Sequence, residues 1–249
     1  MPSRAHGGRS PRKIAVRKKV QARNTHEVIY FFQDINFQDI NIIEGRDVMI
    51  DTVVFDIGNV LAGFDWDAYI RRCLKDEAVI AEVNEAIWGS GLWHEFDRGV
   101  MATEDVIAAM MERAPHRKDE IRLLMDHVGE TLWRFDHAIP WIESVKAAGR
   151  RALFLSNYSR LAMDANPGVL DFLPHLEGGV FSCDVKLLKP DRAIYATLCN
   201  KYALTPERCV FIDDLAPNVQ GARDFGMNAI RCLSHEQARG ELEAMLKDA

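Results

Sequence analysis

Three short apolar runs in this chain end in side chains that can do chemistry. Val53–Asp56 (VVFD) ends in an acid, Leu153–Asn157 (LFLSN) in a hydroxyl and an amide, and Val210–Asp214 (VFIDD) in two acids. Such runs are too brief for helices and suit buried parallel strands. Side chains at the carboxyl ends of neighbouring parallel strands converge on one crevice, where ligands bind. One buried acid there is ordinary, but three repel one another unless a cation compensates. A hard divalent ion meets that need, and Mg²⁺ suits a few carboxylates together with waters and phosphate. A fourth run, Leu188–Asp191 (LKPD), places a lysine just ahead of a helix start, because Pro190 and Asp191 are helix-opening residues. Positive charge and helix dipole would there face an anion together. Lys189 is thus a candidate to bind a phosphoryl oxygen and to offset Asp56.

The elements that must position these residues follow from periodicity. From Ile50 onward, strands are expected at Thr52–Phe55, Arg151–Leu155, around Gly179–Ser182, at Cys209–Ile212 and at Asn228–Cys232. Helices are expected at Pro140–Ala148, Asp191–Tyr202, Pro217–Phe225 and His235–Leu246, with Gly149 and Gly226 as stops. The stretch 65–135 reads as helices only: Asp67–Leu74, Ala78–Trp88, Thr103–Arg113 and Lys118–Trp133. Strand–helix alternation implies a parallel sheet with right-handed crossovers. The expected fold is α/β: a Rossmann-like core from residues 49–64 and 136–249, with an all-helical cap inserted at 65–135. Trp88, Trp93, Trp133 and Trp141 read as packing anchors, with Trp93 able to face the crevice. Asp65 and Asp67 read as hinge or helix-capping residues, and Asn218 either tunes the Asp213–Asp214 loop or caps the next helix.

Composition narrows the classes. The chain has 249 residues, 48% hydrophobic and 27% charged, enough to bury a core. No run approaches a membrane span. Residues 1–48 carry a charge of +4 and the remainder −10. So acidic a body argues against a nucleic-acid partner. The first 48 residues read as a disordered basic extension, with a tandem FQDIN repeat at 32–41 and an IEGR site at 43–46. The working protein is expected to begin near Met49. Five cysteines without a CxxC pair suit a reduced, cytoplasmic chain and give no support to structural zinc.

Asp56–Val60 (DIGNV), Ser156-Asn157, Lys189–Asp191 and Asp213-Asp214 together resemble, in order and spacing, the four motifs of the haloacid dehalogenase superfamily. The resemblance covers about Ile50 to Leu246, and Trp93–Gly99 (WHEFDRG) resembles a segment of that family's helical caps. It implies a small-molecule phosphate ester as substrate and an aspartyl-phosphate intermediate on Asp56. Ser156 and Asn157 would hold the phosphoryl group and Lys189 would neutralise it. Asp56, the Gly58 carbonyl and Asp214 would ligate Mg²⁺, with Asp213 holding metal-bound water. Beside that cation and Lys189, Asp56 is expected to keep a low pKa.

One departure stands out. Most phosphatases of the family carry a second Asp two residues after the nucleophile as general acid and base, and this chain has Gly58. Losing such help costs about 10²–10⁴-fold. The Asp-x-Gly-Asn variant resembles the sugar-1-phosphate phosphatase-like subgroup, whose anomeric oxygen leaves readily. Two alternatives share the missing Asp: a metal-independent 2-haloacid dehalogenase, and a catalytically weak phosphate-binding module.

Overall fold

The computed structural model describes residues 49–247, so the expected extension over 1–48 lies outside the described residues. The first strand, β1 (Thr52–Phe55), is buried along its whole length. It is followed by β2 (Ala62–Phe64), α1 (Trp66–Cys73), α2 (Glu77–Asn84), α3 (Leu92–Arg98), α4 (Thr103–Arg113), α5 (Lys118–Asp126) and β3 (Leu132–Arg134). Then come α6 (Ala138–Ala147), β4 (Arg151–Ser156), α7 (Arg160–Ala165), β5 (Gly178–Phe181), α8 (Ser182–Val185) and α9 (Arg192–Tyr202). The chain closes with β6 (Cys209–Asp213), α10 (Ala216–Phe225), β7 (Asn228–Arg231) and α11 (His235–Lys247).

Five strands form a parallel sheet in the order β5-β4-β1-β6-β7. The period-2 alternation of β1 divides its side chains between two layers. Val53 and Phe55 join Ala152, Phe154, Val210 and Ile212 against α6 and α11, whereas Val54 joins Leu153, Leu155 and Phe211 against α9 and α10. A sheet covered on both faces explains why its strands read as continuous apolar runs. β1 pairs Phe55 with Phe154 on one side and with Ile212 on the other. The residues just past these pairs therefore emerge at one level.

The helices between β2 and β3 bury a separate cluster, with Tyr69, Ile70, Val83, Ile87, Val106, Met110, Ile121 and Leu124 at its centre. The all-helical expectation for this stretch needs correction. The helix expected to reach Trp133 ends at Asp126; a 3₁₀ turn at Val128–Thr131 follows, and β3 pairs antiparallel with β2. Gly129 and the β-branched Val128 and Thr131 weaken a helix there, and a tertiary partner for the extended backbone decides the outcome. The helix expected over Ala78–Trp88 is α-helical to Asn84 and then widens into a π turn at Glu85–Gly89. Three short helices, α3, α7 and α8, were not anticipated; Gly91 at φ 74° opens the first, and the Ser159 hydroxyl caps the second. Among the described residues no helix is long and apolar enough to cross a membrane.

Candidate active site

The strand ends bring the candidate residues together. The Asp56 backbone N–H continues the β1–β6 ladder by donating to the Ile212 carbonyl at 2.8 Å. Its Oδ1 accepts from the Ile57 N–H at 2.7 Å and pairs with Lys189 Nζ at 2.8 Å. The same ammonium donates to Asp213 Oδ2 at 2.7 Å. Asp56, Asp213 and Asp214 each offer an oxygen, all within 4.8 Å of one another. Lys189 and Asp213 are fully buried, and Asp56 keeps 6% of its surface.

Neighbouring amides hold this arrangement. Asn157 accepts the Lys189 N–H at 2.8 Å and donates to the Lys189 carbonyl at 3.1 Å. Both ends of its amide brace the lysine loop, and Asn157 also lines the pocket. Asn218 donates to both oxygens of Asp213 at 3.1 Å, and the Leu215 N–H adds a contact to Oδ1 at 2.8 Å. Each Asp213 oxygen thus serves two donors, Lys189 included, and the residue lies behind the pocket wall. Its contacts favour holding Lys189 in place over holding water. Of the two readings of Asn218, its side chain serves the loop; α10 begins at Ala216 with Leu215 at the N-cap position. Asn59, in the left-handed region at φ 54°, donates to Asp214 Oδ2 at 3.1 Å. Ser156, buried at the end of β4, lies beside Asp56 and favours its charged form.

Three carboxylates against one ammonium leave an excess of negative charge. Burial pushes Asp56 above the usual carboxylate range; Lys189 opposes the shift and Asp213 adds to it. Within the protein alone, burial therefore outweighs the lysine; the low Asp56 pKa expected from sequence was for the site with Mg²⁺ as well as Lys189. Burial works against a charged Lys189, yet Asp56 and Asp213 hold its pKa above the ordinary lysine value. Asp214 is raised too, first by burial and against the Asn59 hydrogen bond. Asp56, Gly58 and Asp214 all line the pocket, so the oxygen donors that face it fit a hard divalent cation such as Mg²⁺.

A cavity of about 330 Å³ opens over these residues. Phe64, Trp88, Trp93, His94 and Asp97 line it on the helical side, and Tyr158 and Leu161 line it as well. Trp88 stacks on Trp93 with centroids 4.3 Å apart. Trp93 does face the crevice, and so does Trp88, which the π turn carries there. Sequence reasoning missed Asp97 and Tyr158. The WHEFDRG segment was a signal for the first; for the second there was none beyond adjacency to Asn157. Burial pushes Asp97 up to about 7, against the pull of Lys189. Asp65 caps α1 by accepting the Ala68 N–H at 2.9 Å, and Asp67 pairs with Arg71 outside the cavity.

The family model of haloacid dehalogenase-like hydrolases matches residues 50–226. Phosphatase MT3486 of Mycobacterium tuberculosis (strain CDC 1551 / Oshkosh) is 27% identical over 72% of this chain and 86% of its own length. Drimenol cyclase drtB of Aspergillus calidoustus is 22% identical over 78% of this chain, which spans 36% of that longer protein. Among solved structures, the magnesium complex of HAD family enzyme bt-2542 from Bacteroides thetaiotaomicron superposes with a TM-score of 0.60 at 17% identity. That match covers 76% of this chain and 98% of the other and shows a shared fold.

Proposed function

The chain belongs to the haloacid dehalogenase-like hydrolases, and we propose that within them it is a Mg²⁺-dependent phosphomonoester hydrolase. The observation that carries this reading is the convergence of Asp56, Asp213 and Asp214, with Lys189 paired to the first two. The phosphatase name of the Mycobacterium relative and the magnesium bound by the Bacteroides enzyme support it.

In this reading Asp56, through the oxygen not held by Lys189, attacks phosphorus as the P–O bond to the leaving group breaks. Water then attacks the aspartyl-phosphate and releases phosphate, restoring the carboxylate. Lys189 and Ser156 stabilise charge on the phosphoryl oxygens, while Asn157 and Asp213 hold the lysine where it must act. Asp56, the Gly58 carbonyl and Asp214 would hold Mg²⁺, which supplies positive charge to the phosphoryl group. No carboxylate stands at position 58, so the leaving group departs without a proton from that site. The Asp-x-Gly-Asn pattern it shares with sugar-1-phosphate phosphatase-like members accords with an ester whose oxygen is a stable anion. Dehalogenation of a 2-haloacid finds little support: no arginine is among the residues lining the cavity, and Lys189 is already locked between two carboxylates.

The test is phosphate release from a panel of monoesters with Mg²⁺ and with EDTA. Turnover that EDTA abolishes and added Mg²⁺ restores is expected. Full activity in EDTA, or chloride release from 2-chloropropionate without metal, would overturn the reading.

A further inference from the structure

The polar lining of the cavity leaves little to bind a sugar. The Asn59, Asn157 and Asn218 amides are engaged with Asp214, Lys189 and Asp213. The Thr131 hydroxyl donates to the Val128 carbonyl at 2.7 Å, and the Ser159 hydroxyl accepts the Ala162 N–H at 3.1 Å. The Tyr158 hydroxyl and the Trp88 indole N–H are buried without a partner in the protein. Beyond the reacting groups, what remains to meet a hydroxyl is His94, Asp97, the Ser159 O–H and the capacity left on the three amides, few groups for a polyol. A sugar places several hydroxyls that lose water on binding, and each left unpaired carries a penalty of about 1–3 kcal/mol.

What the wall does offer is flat and apolar. Trp88 and Trp93 lie stacked at 24° to each other, and Phe64 stands 5.8 Å from Trp93 and 6.2 Å from Trp88. Leu161 and Leu132 close the wall. Such a box favours a planar ring by burial and by offset or edge contacts. Gly58 points the same way on separate grounds. A site without a proton donor there works best on an oxygen that leaves as a stable anion, and a phenol ionises near pKa 10 as tyrosine does.

We propose that the substrate is an aryl phosphate, a monoester whose phenolic oxygen is carried on an apolar ring system that lies against the aromatic wall of Phe64, Trp88 and Trp93. This rests on the phosphomonoesterase reading and narrows it, away from sugar phosphates.

Because aryl phosphates are intrinsically reactive, the test compares esters of matched leaving-group acidity. Phenyl and 2-naphthyl phosphate differ chiefly in apolar area, with glucose 1-phosphate as the sugar. With Mg²⁺, kcat/KM is expected to be at least about tenfold higher for the naphthyl than for the phenyl ester, and at least about a hundredfold higher than for the sugar. Trp93→Leu should lower kcat/KM for both aryl esters, and for the naphthyl ester more, so that their ratio falls toward one; should that variant fail to fold, the wild-type ratio still decides. Binding of a non-hydrolysable naphthyl phosphonate, read by quenching of tryptophan fluorescence, is independent of turnover. Equal or better use of glucose 1-phosphate, or equal rates for the two aryl esters, would overturn the inference and leave the phosphatase standing. Tight naphthyl phosphonate binding with no hydrolysis of any ester would do the reverse.

Discussion

The two walls of the cavity handle polarity in opposite ways. On the sheet side nearly every polar group is answered by another: Lys189 by Asp56 and Asp213, Asp213 by Asn218, Lys189's backbone by Asn157. On the helical side rings face inward, and the Trp88 indole N–H has no partner. The first wall is organised around a charge change at one atom, and each buried charge there has a partner. The second is organised around shape. Chemistry and selectivity are thereby assigned to separate layers of the molecule, and either can be altered with limited damage to the other.

The largest test of that division strikes the charged wall. Asp56→Asn should lower phosphate release by at least about 10⁴-fold while leaving the melting temperature equal or higher, because a buried charge is removed. A loss of folding in place of activity would mean that the charged cluster holds the structure together. Next comes Gly58→Asp, which supplies the charged wall with the acid it lacks. A Cβ at Gly58 meets nothing within 4 Å, so the side chain has room. Alkyl phosphates should speed up about 10- to 100-fold and aryl phosphates little. Uniform acceleration across a series of graded leaving groups would show that proton donation was not limiting.

The smallest effect concerns the acid on the helical wall, Asp97. Its carboxyl titrates near 7 in the fold against about 3.9 unfolded, so the native state binds the extra proton. That contribution is complete below about pH 4 and is lost as pH rises through about 7. The stability of the wild type relative to Asp97→Asn should therefore fall by on the order of 2 kcal/mol between pH 5 and pH 8, measured by denaturant unfolding in EDTA. A difference that stays constant with pH would place Asp97 in water.

What could be read from sequence follows the same division. Asp56, Ser156 and Asp213 were legible because a parallel strand's carboxyl end fixes where its next side chain points, so apolar run plus acid is nearly a coordinate. The placing of Lys189 was legible from its helix start. The duties of Asn157 and Asp213 were not, since their partners lie 32 and 24 residues away and answer to backbone and ammonium atoms that no local pattern reveals. On the helical side, Trp88 faces the cavity because a π turn shifts its phase, which a 3.6-residue period cannot encode. β3 escaped notice for a related reason: Leu132–Arg134 is extended because Ala62–Phe64 lies beside it.

That small ribbon has a mechanical consequence. The chain leaves the sheet through β2 and returns through β3, and these two connections are laced by the ladder from Ala62–Arg134 to Phe64–Leu132, with Asp65 N–H to Thr131 and Phe135 N–H to Leu61 at its ends. Two separate tethers would let the helices swivel and twist; two tethers stitched into one leaf restrict them to bending about a single axis. The Trp133 ring stiffens the leaf by lying so close to Gly63 that an added Cβ would fall 2.2 Å from it. Phe64 is the last residue of β2, so any tilt of the leaf carries one side of the aromatic box with it. Access to Asp56 and the spacing of the box are therefore geared together, and a substitution at Gly63 should disturb both at once.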